Sequence, residues 1–308
     1  MKNGHGRTTD KVHGIPKRLG HTLALVALVS TLSGPSLAAG LDLLFERTLM
    51  MTADQGCNLF TPEVSSTLDA ARAQARNAGL RSGVSRADIE ATEGRARDKA
   101  LQTPCKSPDL AIAAARVRQA FRSDSQTLKH VYSGDHASWI ASRVSRAGTI
   151  SWQVSQDIQQ AGNHMVLGLA GHPNVHHLIG LIETTGRESP YGARLILRDD
   201  TVTLGPYLDV RSQSLAQTSL SRLFPPEAGQ IGYVAVARSR AGRDLLKPGM
   251  TGGWAFRFPP EAIPLMANLD PREAFAVDLL FPEGAAHRIY FEVGDFAAGR
   301  AFVTQKPR

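Results

Sequence analysis

The chain has 308 residues, of which 42% are hydrophobic and 20% are charged. This composition supplies enough apolar material for one or two packed domains, and it excludes a disordered chain, a collagen-like fibre and a disulfide-stapled miniprotein. The 35 Lys and Arg residues exceed the 28 Asp and Glu residues, and the net charge of +7 raises the question of a nucleic-acid or anionic-membrane partner.

The first 38 residues have the pattern of a secretory signal peptide. Basic residues precede the ten-residue, mainly apolar run 23–32, which is followed by Gly34, Pro35 and the small residue Ala38. A run of this length is well below the roughly 20 residues that span a bilayer, so an uncleaved anchor is the weaker alternative. The sequence predicts cleavage near Ala38, a periplasmic or secreted location and no transmembrane segment in the mature chain.

Removal of the predicted signal peptide would reduce the net positive charge. Residues 1–38 carry five basic groups and one acidic group, so their removal leaves 30 basic and 27 acidic residues, a net charge of +3. The remaining chain has no run of five or six basic residues. No nucleic-acid partner is therefore expected, and an envelope protein is the class of partner that the predicted location suggests.

Residues 39–147 are predicted to form a small helical bundle. Three helix starts are visible, because Thr61, Ser85 and Ser107 stand as N-cap residues before a first turn that contains an acidic residue. Apolar residues then recur at helical spacing, and a further helix is expected over 41–52. Four helices with short connections favour an antiparallel bundle.

Cys57 and Cys105 are the only two cysteines in the chain. In an oxidising compartment, a pair with no cysteine left over predicts a structural disulfide. The spacing does not resemble a redox Cys-x-x-Cys motif or a zinc site. The bond would enclose 49 residues, counted inclusively, and tie the ends of the helical bundle together.

Residues 148–308 are predicted to form an antiparallel, sandwich-like β domain. Alternation is clearest at Ile150, Trp152 and Val154, which a regular strand would place on one face. About nine short strands, separated by Gly, Pro, Asn and Asp, follow the pattern of an antiparallel sandwich. A short C-terminal helix is expected over 295–302, and the fold class of the whole chain is α+β.

Four histidines within 14 residues form the densest cluster of site-type residues: His164, His172, His176 and His177. Imidazole suits divalent transition metals, so His164, His172 and His176 are candidate ligands. His176 and His177 are adjacent and would point to opposite faces of a strand. Histidines in an exposed loop are the simpler interpretation, because no HExxH motif accompanies them.

Other signatures of catalysis are not found after residue 38. The sequence contains no nucleophile elbow, Ser-x-x-Lys pair, dinucleotide fingerprint or phosphate-binding loop. These observations favour an exported, non-catalytic binding or structural protein without a cofactor, whose specific role the sequence leaves open. The alternative is a metal-dependent hydrolase or metal-binding protein that uses the segment 164–177.

Overall fold

Helices form the first part of the described chain, and strands form most of the rest. The computed structural model describes residues 37–304, apart from 145–147, 161, 173–174, 184–188, 204 and 210–213. Residues 1–36 of the predicted signal peptide lie outside these ranges. The described part contains six α-helices and antiparallel sheets, which confirms the predicted α+β class. None of the described helices is both long and apolar enough to cross a membrane.

Four helices precede the strands: α1 Leu37–Cys57, α2 Pro62–Arg81, α3 Arg86–Leu101 and α4 Pro108–Ala120. The predicted caps of α2 and α3 are present, because the Thr61 and Ser85 hydroxyls accept hydrogen bonds from backbone N–H groups of the first turn. Ser107 precedes α4 but makes no such side-chain bond. Helix α1 is longer than expected, and the predicted cleavage point at Ala38 lies in its first turn.

Eleven strands are described: β1 Lys129–Tyr132, β2 Trp139–Ser142, β3 Ser151–Gln160, β4 Asn163–Gly171, β5 His177–Glu183, β6 Gly192–Arg198, β7 Gln230–Val234, β8 Ala237–Arg240, β9 Gly253–Arg257, β10 Ala274–Leu280 and β11 His287–Glu292. They form a seven-stranded sheet of order β1-β2-β3-β4-β5-β9-β8 and a four-stranded sheet of order β11-β10-β6-β7. Strand structure therefore begins at Lys129, ahead of the predicted domain boundary at residue 147.

The predicted common face of Ile150, Trp152 and Val154 is wrong. A β-bulge shifts the pairing of β3 with β4 between Trp152 and Val154. Such a bulge inserts one residue and changes which face the following side chains occupy. Val154 consequently packs in the main core, whereas Trp152 packs in a separate cluster with Leu245 and Leu246.

Apolar side chains of both sheets meet in the main core. Leu167 from β4 lies in the same cluster as Leu195 from β6 and Phe275 from β10. Helices α5 Ala262–Asn268 and α6 Phe296–Val303 also contribute to it, and α6 confirms the predicted short C-terminal helix. Ala70 and Ala73 of α2 also lie in this cluster, whereas most other buried residues of the first four helices form two separate clusters.

Asp295 joins the first part of the chain to the last. It lies at the N-cap position of α6, but its carboxylate makes no capping hydrogen bond. Instead, Asp295 Oδ1 accepts hydrogen bonds from Asn77 Nδ2 at 2.7 Å and from an Arg81 guanidinium nitrogen at 3.2 Å. Asn77 is buried, so this polar contact fixes α2 against the start of α6.

Glu292, the last residue of β11, holds the loop that connects β1 and β2. Its buried carboxylate accepts hydrogen bonds from the backbone N–H groups of Asp135, His136 and Ala137 at 2.8, 2.8 and 3.0 Å. A Cβ on Gly134 would lie 2.4 Å from a carboxylate oxygen of Glu292. The loop therefore needs glycine at 134 and an acceptor at 292.

We expect Glu292→Ala to reduce the free energy of unfolding by about 3 kcal/mol, because three N–H groups lose a charged acceptor at a partly buried site. Urea unfolding monitored by tryptophan fluorescence measures this loss. Glu292→Gln is the matched control, since its amide oxygen still accepts hydrogen bonds and the loss should be smaller. Equal stability of the wild type and the alanine variant would contradict the anchoring role.

The disulfide between Cys57 and Cys105 is present and confirms the predicted pairing. It joins the last residue of α1 to the segment that leads into α4. Helix α4 has few other attachments: only Leu110 and Ala114 are buried along its length. The bond is therefore a principal link between α4 and the other helices.

Candidate functional site

A cleft of about 530 Å³ is lined by residues of α2, α3, α5 and α6. Its volume lies within the range of about 300–1,000 Å³ that is usual for small-molecule sites. Eight charged side chains line it: Asp69, Arg72, Arg76, Arg86, Glu90, Glu93, Asp200 and Arg300. The cleft is therefore a polar site with equal numbers of basic and acidic groups.

Helical spacing explains how these side chains come to face the cleft. On α2, the lining residues Asp69, Arg72, Ala73, Arg76 and Asn77 are separated by three or four positions, so they share one face. On α6 and just beyond it, Ala297, Arg300, Ala301 and Thr304 repeat the same spacing. The alanines leave space between the longer polar side chains.

Arg72 is neutralised by two acidic neighbours. Its guanidinium nitrogens lie 3.0 Å from Asp69 Oδ1 and 3.0 Å from Glu93 Oε1. Glu93 is buried and comes from α3, so this pair also connects α2 to α3. Glu93 also lies 4.0 Å from Arg97, so two cations and two carboxylates form a structural set with little free charge for a ligand.

Arg76, one turn further along α2, has no such partner. It is half-buried, and within the described residues its side chain makes no hydrogen bond and no ion pair. Burial lowers the pKa of Arg76; repulsion from Arg86 and Arg72 adds to this shift, and attraction to Glu93 and Asp270 opposes it. Arg76 therefore presents unpaired N–H donors in a concave site.

Arg86 and Arg300 complete a group of three guanidinium groups without a carboxylate partner. Arg86 donates a hydrogen bond to the backbone oxygen of Asn268 at 2.6 Å, which leaves its charge unneutralised. The Arg300 side chain has neither a hydrogen bond nor an ion pair in the described part of the chain. Setting aside the neutralised set at Arg72, three cations face the two exposed acids Glu90 and Asp200.

The structure places two of the three predicted metal ligands, His164 and His172, at opposite ends of β4. His164 is the second residue of β4 and His172 follows the end of that strand, so eight residues at 3.3 Å each hold them about 26 Å apart. No shared ion can span that distance. Among the described His, Cys, Asp and Glu side chains, no group of three or more is arranged to hold a metal ion.

His164 contacts two carboxylates instead. Its Nε2 lies 2.7 Å from Asp157 Oδ1, and its Nδ1 lies 3.3 Å from Glu183 Oε2. The two ring nitrogens point in different directions, so the carboxylates do not converge with the imidazole on one point. His176 is half-buried, and burial lowers its pKa, with repulsion from Arg300 and His177 adding to the shift. A shared ion between His172 and His176 stays a prediction.

A lysine–serine contact was not visible in the sequence. Lys247 Nζ lies 2.9 Å from Ser155 Oγ, although 92 residues separate them. Burial lowers the pKa of Lys247, a feature shared with lysines that act as bases. Ser155 is only 2% exposed, however, so its hydroxyl is closed to substrates. The contact holds the segment around Lys247 against the outer face of β3.

Comparisons of the chain with protein-family models, with curated proteins and with solved structures found no match. The function is therefore argued from the geometry of the site.

Proposed function

We propose that this protein is an exported, non-catalytic binding protein whose cleft binds a small molecule or chain terminus that carries a carboxylate or phosphate. The observation that carries the proposal is Arg76, a half-buried guanidinium without a partner in the described residues, with Arg86 and Arg300 lining the same cleft. We call this site the Arg76 cleft.

The preference for an anion follows from the chemistry of arginine. A guanidinium group presents a planar set of N–H donors that matches the two oxygens of a carboxylate or phosphate. Burial of an unpaired charge is unfavourable, and an anionic ligand would relieve this cost for Arg76. The same ligand would reduce the repulsion of Arg76 by Arg86.

The acidic residues limit the charge of the ligand. Glu90 and Asp200 are exposed and line the same cleft, so a polyanion would meet repulsion there. A ligand with one anionic group and a neighbouring ammonium group, as in an amino acid, would be complementary to both sets of charges. This balance agrees with the absence of a basic run in the sequence and disfavours nucleic acid as a partner.

The proposal also includes an architecture and a cellular location. We propose that the two sheets form a sandwich, because their apolar faces share one core, and that the first four helices form a bundle that supplies two walls of the cleft. Export is supported by the signal-like residues 1–38 and by the disulfide, which persists in oxidising compartments. An envelope protein as partner stays a prediction.

The alternative of a metal-dependent hydrolase has less support. Its candidate ligands His164 and His172 lie at opposite ends of β4, and the imidazole of His164 is already bound on both sides by carboxylates. A metal site there would require these residues to move, whereas the guanidinium groups of the Arg76 cleft already line one cavity.

We expect Arg76→Gln to weaken ligand binding at least about tenfold, which corresponds to about 1.4 kcal/mol, because it removes a charged donor at an enclosed position. Isothermal titration calorimetry with inorganic phosphate, acetate and alanine as separate probes measures the effect. Arg122→Gln, the same change at an exposed position outside the cleft, is the matched control. The proposal fails if no probe binds saturably, or if the two variants bind alike.

A further inference from the structure

A second cavity, of about 440 Å³, lies between α1 and α4 and shares no lining residue with the Arg76 cleft. We call it the α1–α4 groove. Its lining is mainly apolar and includes Leu43, Leu49, Met50, Leu68, Val117 and Phe121. Leu43 is 45% exposed, so the groove leaves apolar surface in contact with water.

The groove exists because α4 covers α1 only in part. Leu110, Ala113, Ala114, Val117 and Phe121 form one apolar stripe at helical spacing on α4 and its C-cap. Only Leu110 and Ala114 of this stripe are buried, whereas Ala113, Val117 and Phe121 are half-buried and line the groove. Ala113, Val117 and Phe121 pack against the cluster that contains Leu110 and Ala114, and each keeps part of its surface exposed to the groove.

Two guanidinium groups stand among this apolar lining. Arg47 is half-buried and donates a hydrogen bond to the backbone oxygen of Ala71 at 2.6 Å, not to a carboxylate. Burial lowers the pKa of Arg47, and attraction to Glu46 opposes the shift. Arg116 is exposed and has no hydrogen bond or ion pair within the part of the chain that the structure describes. With Glu46 as the acidic lining residue, the groove carries a net charge of +1.

We propose that the α1–α4 groove binds a fatty acid, with its acyl chain along the apolar lining and its carboxylate against Arg116 or Arg47. Each methylene group removed from water contributes about 0.8 kcal/mol, so a medium-length chain gains substantially from this surface. The guanidinium groups offer the charge and donors that a carboxylate requires.

The lining of the groove favours an amphiphile with a single anionic group. An acyl chain would contact the apolar side chains, and its carboxylate would be complementary to the net charge of +1. Met50, with its flexible side chain, can adapt to chains of different length.

Calorimetric titration of the purified full chain with dodecanoate, below its micelle concentration, tests the proposal. The titration is carried out in the Arg76→Gln background, so that the other proposed carboxylate site is weakened, and we expect saturable binding of one molecule per chain in the groove. Ala113→Phe fills the groove and should weaken binding at least tenfold, whereas Ala111→Phe, the same change at an exposed position on α4 outside the groove, should bind like Arg76→Gln alone. Circular dichroism establishes that each variant is folded.

The role of the guanidinium groups is tested with dodecanol, which has the same chain and no charge. Arg116→Gln combined with Arg47→Gln should weaken binding of dodecanoate more than binding of dodecanol. Arg76→Gln should leave binding of dodecanol unchanged, because dodecanol lacks the carboxylate that the Arg76 cleft is proposed to bind, and this separates the two sites. Absence of saturable dodecanoate binding, or equal binding by the two Ala→Phe variants, would overturn the proposal.

Discussion

Replacing Arg198 by Met should reduce the free energy of unfolding by about 3–5 kcal/mol, the range observed when one partner of a buried ion pair is removed. Arg198 and Glu273 are 3% and 0% exposed. Their bond is bidentate, with Nε to Oε2 at 2.7 Å and Nη2 to Oε1 at 3.1 Å. The variant leaves the Glu273 carboxylate buried beside the backbone N–H of Asp270, which is then its remaining donor among the bonds described.

The stability that is lost in Arg198→Met should increase with pH. Burial raises the pKa of Glu273, and the hydrogen bonds and charge of Arg198 oppose that shift. Without Arg198 the folded-state pKa rises further above the unfolded value. The folded variant is destabilised most at a pH above its raised pKa, where the Glu273 carboxyl is ionised. This destabilisation decreases as the pH falls toward the unfolded-state pKa. Destabilisation by Arg198→Met should therefore be larger at pH 8 than at pH 5.

A double-mutant cycle measures the interaction energy between Arg198 and Glu273. It requires urea unfolding of the wild type, Arg198→Met, Glu273→Leu and the double variant. An apolar pair of similar size leaves no buried charge, so the double variant should recover most of the stability lost by either single change. Single variants within 1 kcal/mol of the wild type would contradict the expected effect, as would a double variant less stable than both.

Loss of the disulfide should have an effect of similar size. Changing Cys57 and Cys105 together to Ser should reduce the free energy of unfolding by about 4 kcal/mol, because the bond closes a loop of 49 residues in the unfolded chain. Helix α4 should respond most, since Leu110 and Ala114 are its only buried residues.

Hydrogen exchange distinguishes this local response from a general loss of stability. In the double serine variant, amides of α4 should exchange much faster than amides of α2, whose buried residues are more numerous. Reduction of the wild-type protein should reproduce the pattern. Equal acceleration of amide exchange in α4 and α2 would contradict the expected dependence of α4 on the disulfide.

The sequence was most informative where structure depends on neighbouring residues. Thr61 and Ser85 were recognisable as helix starts because the capping oxygen and the N–H groups it binds are three residues apart. The Cys57–Cys105 bond followed from a count of two cysteines together with the prediction of export to an oxidising compartment. The bulge at Trp152 and Val154 was not visible, because it arises from pairing with β4 and leaves no signal in an alternating pattern.

The candidate sites also differ in whether they depend on residues close in the sequence or on long-range packing. The histidines of 164–177 looked like a cluster because they are close in the sequence, yet an extended strand separates His164 from His172. Arg76 and Arg300 are 224 positions apart and meet because Asn77 and Arg81 fix α2 to Asp295 at the start of α6. No spacing rule relates residues that far apart.

The sequence by itself determined the α+β class, the helix starts, the disulfide and the small net charge that remains after a predicted export signal. Each depends on composition or on contacts within a few residues. The tertiary structure decided which of the many arginines remain without a carboxylate partner, because pairing depends on which helices pack together. On this ground we propose Arg76, and not the histidines, as the candidate site.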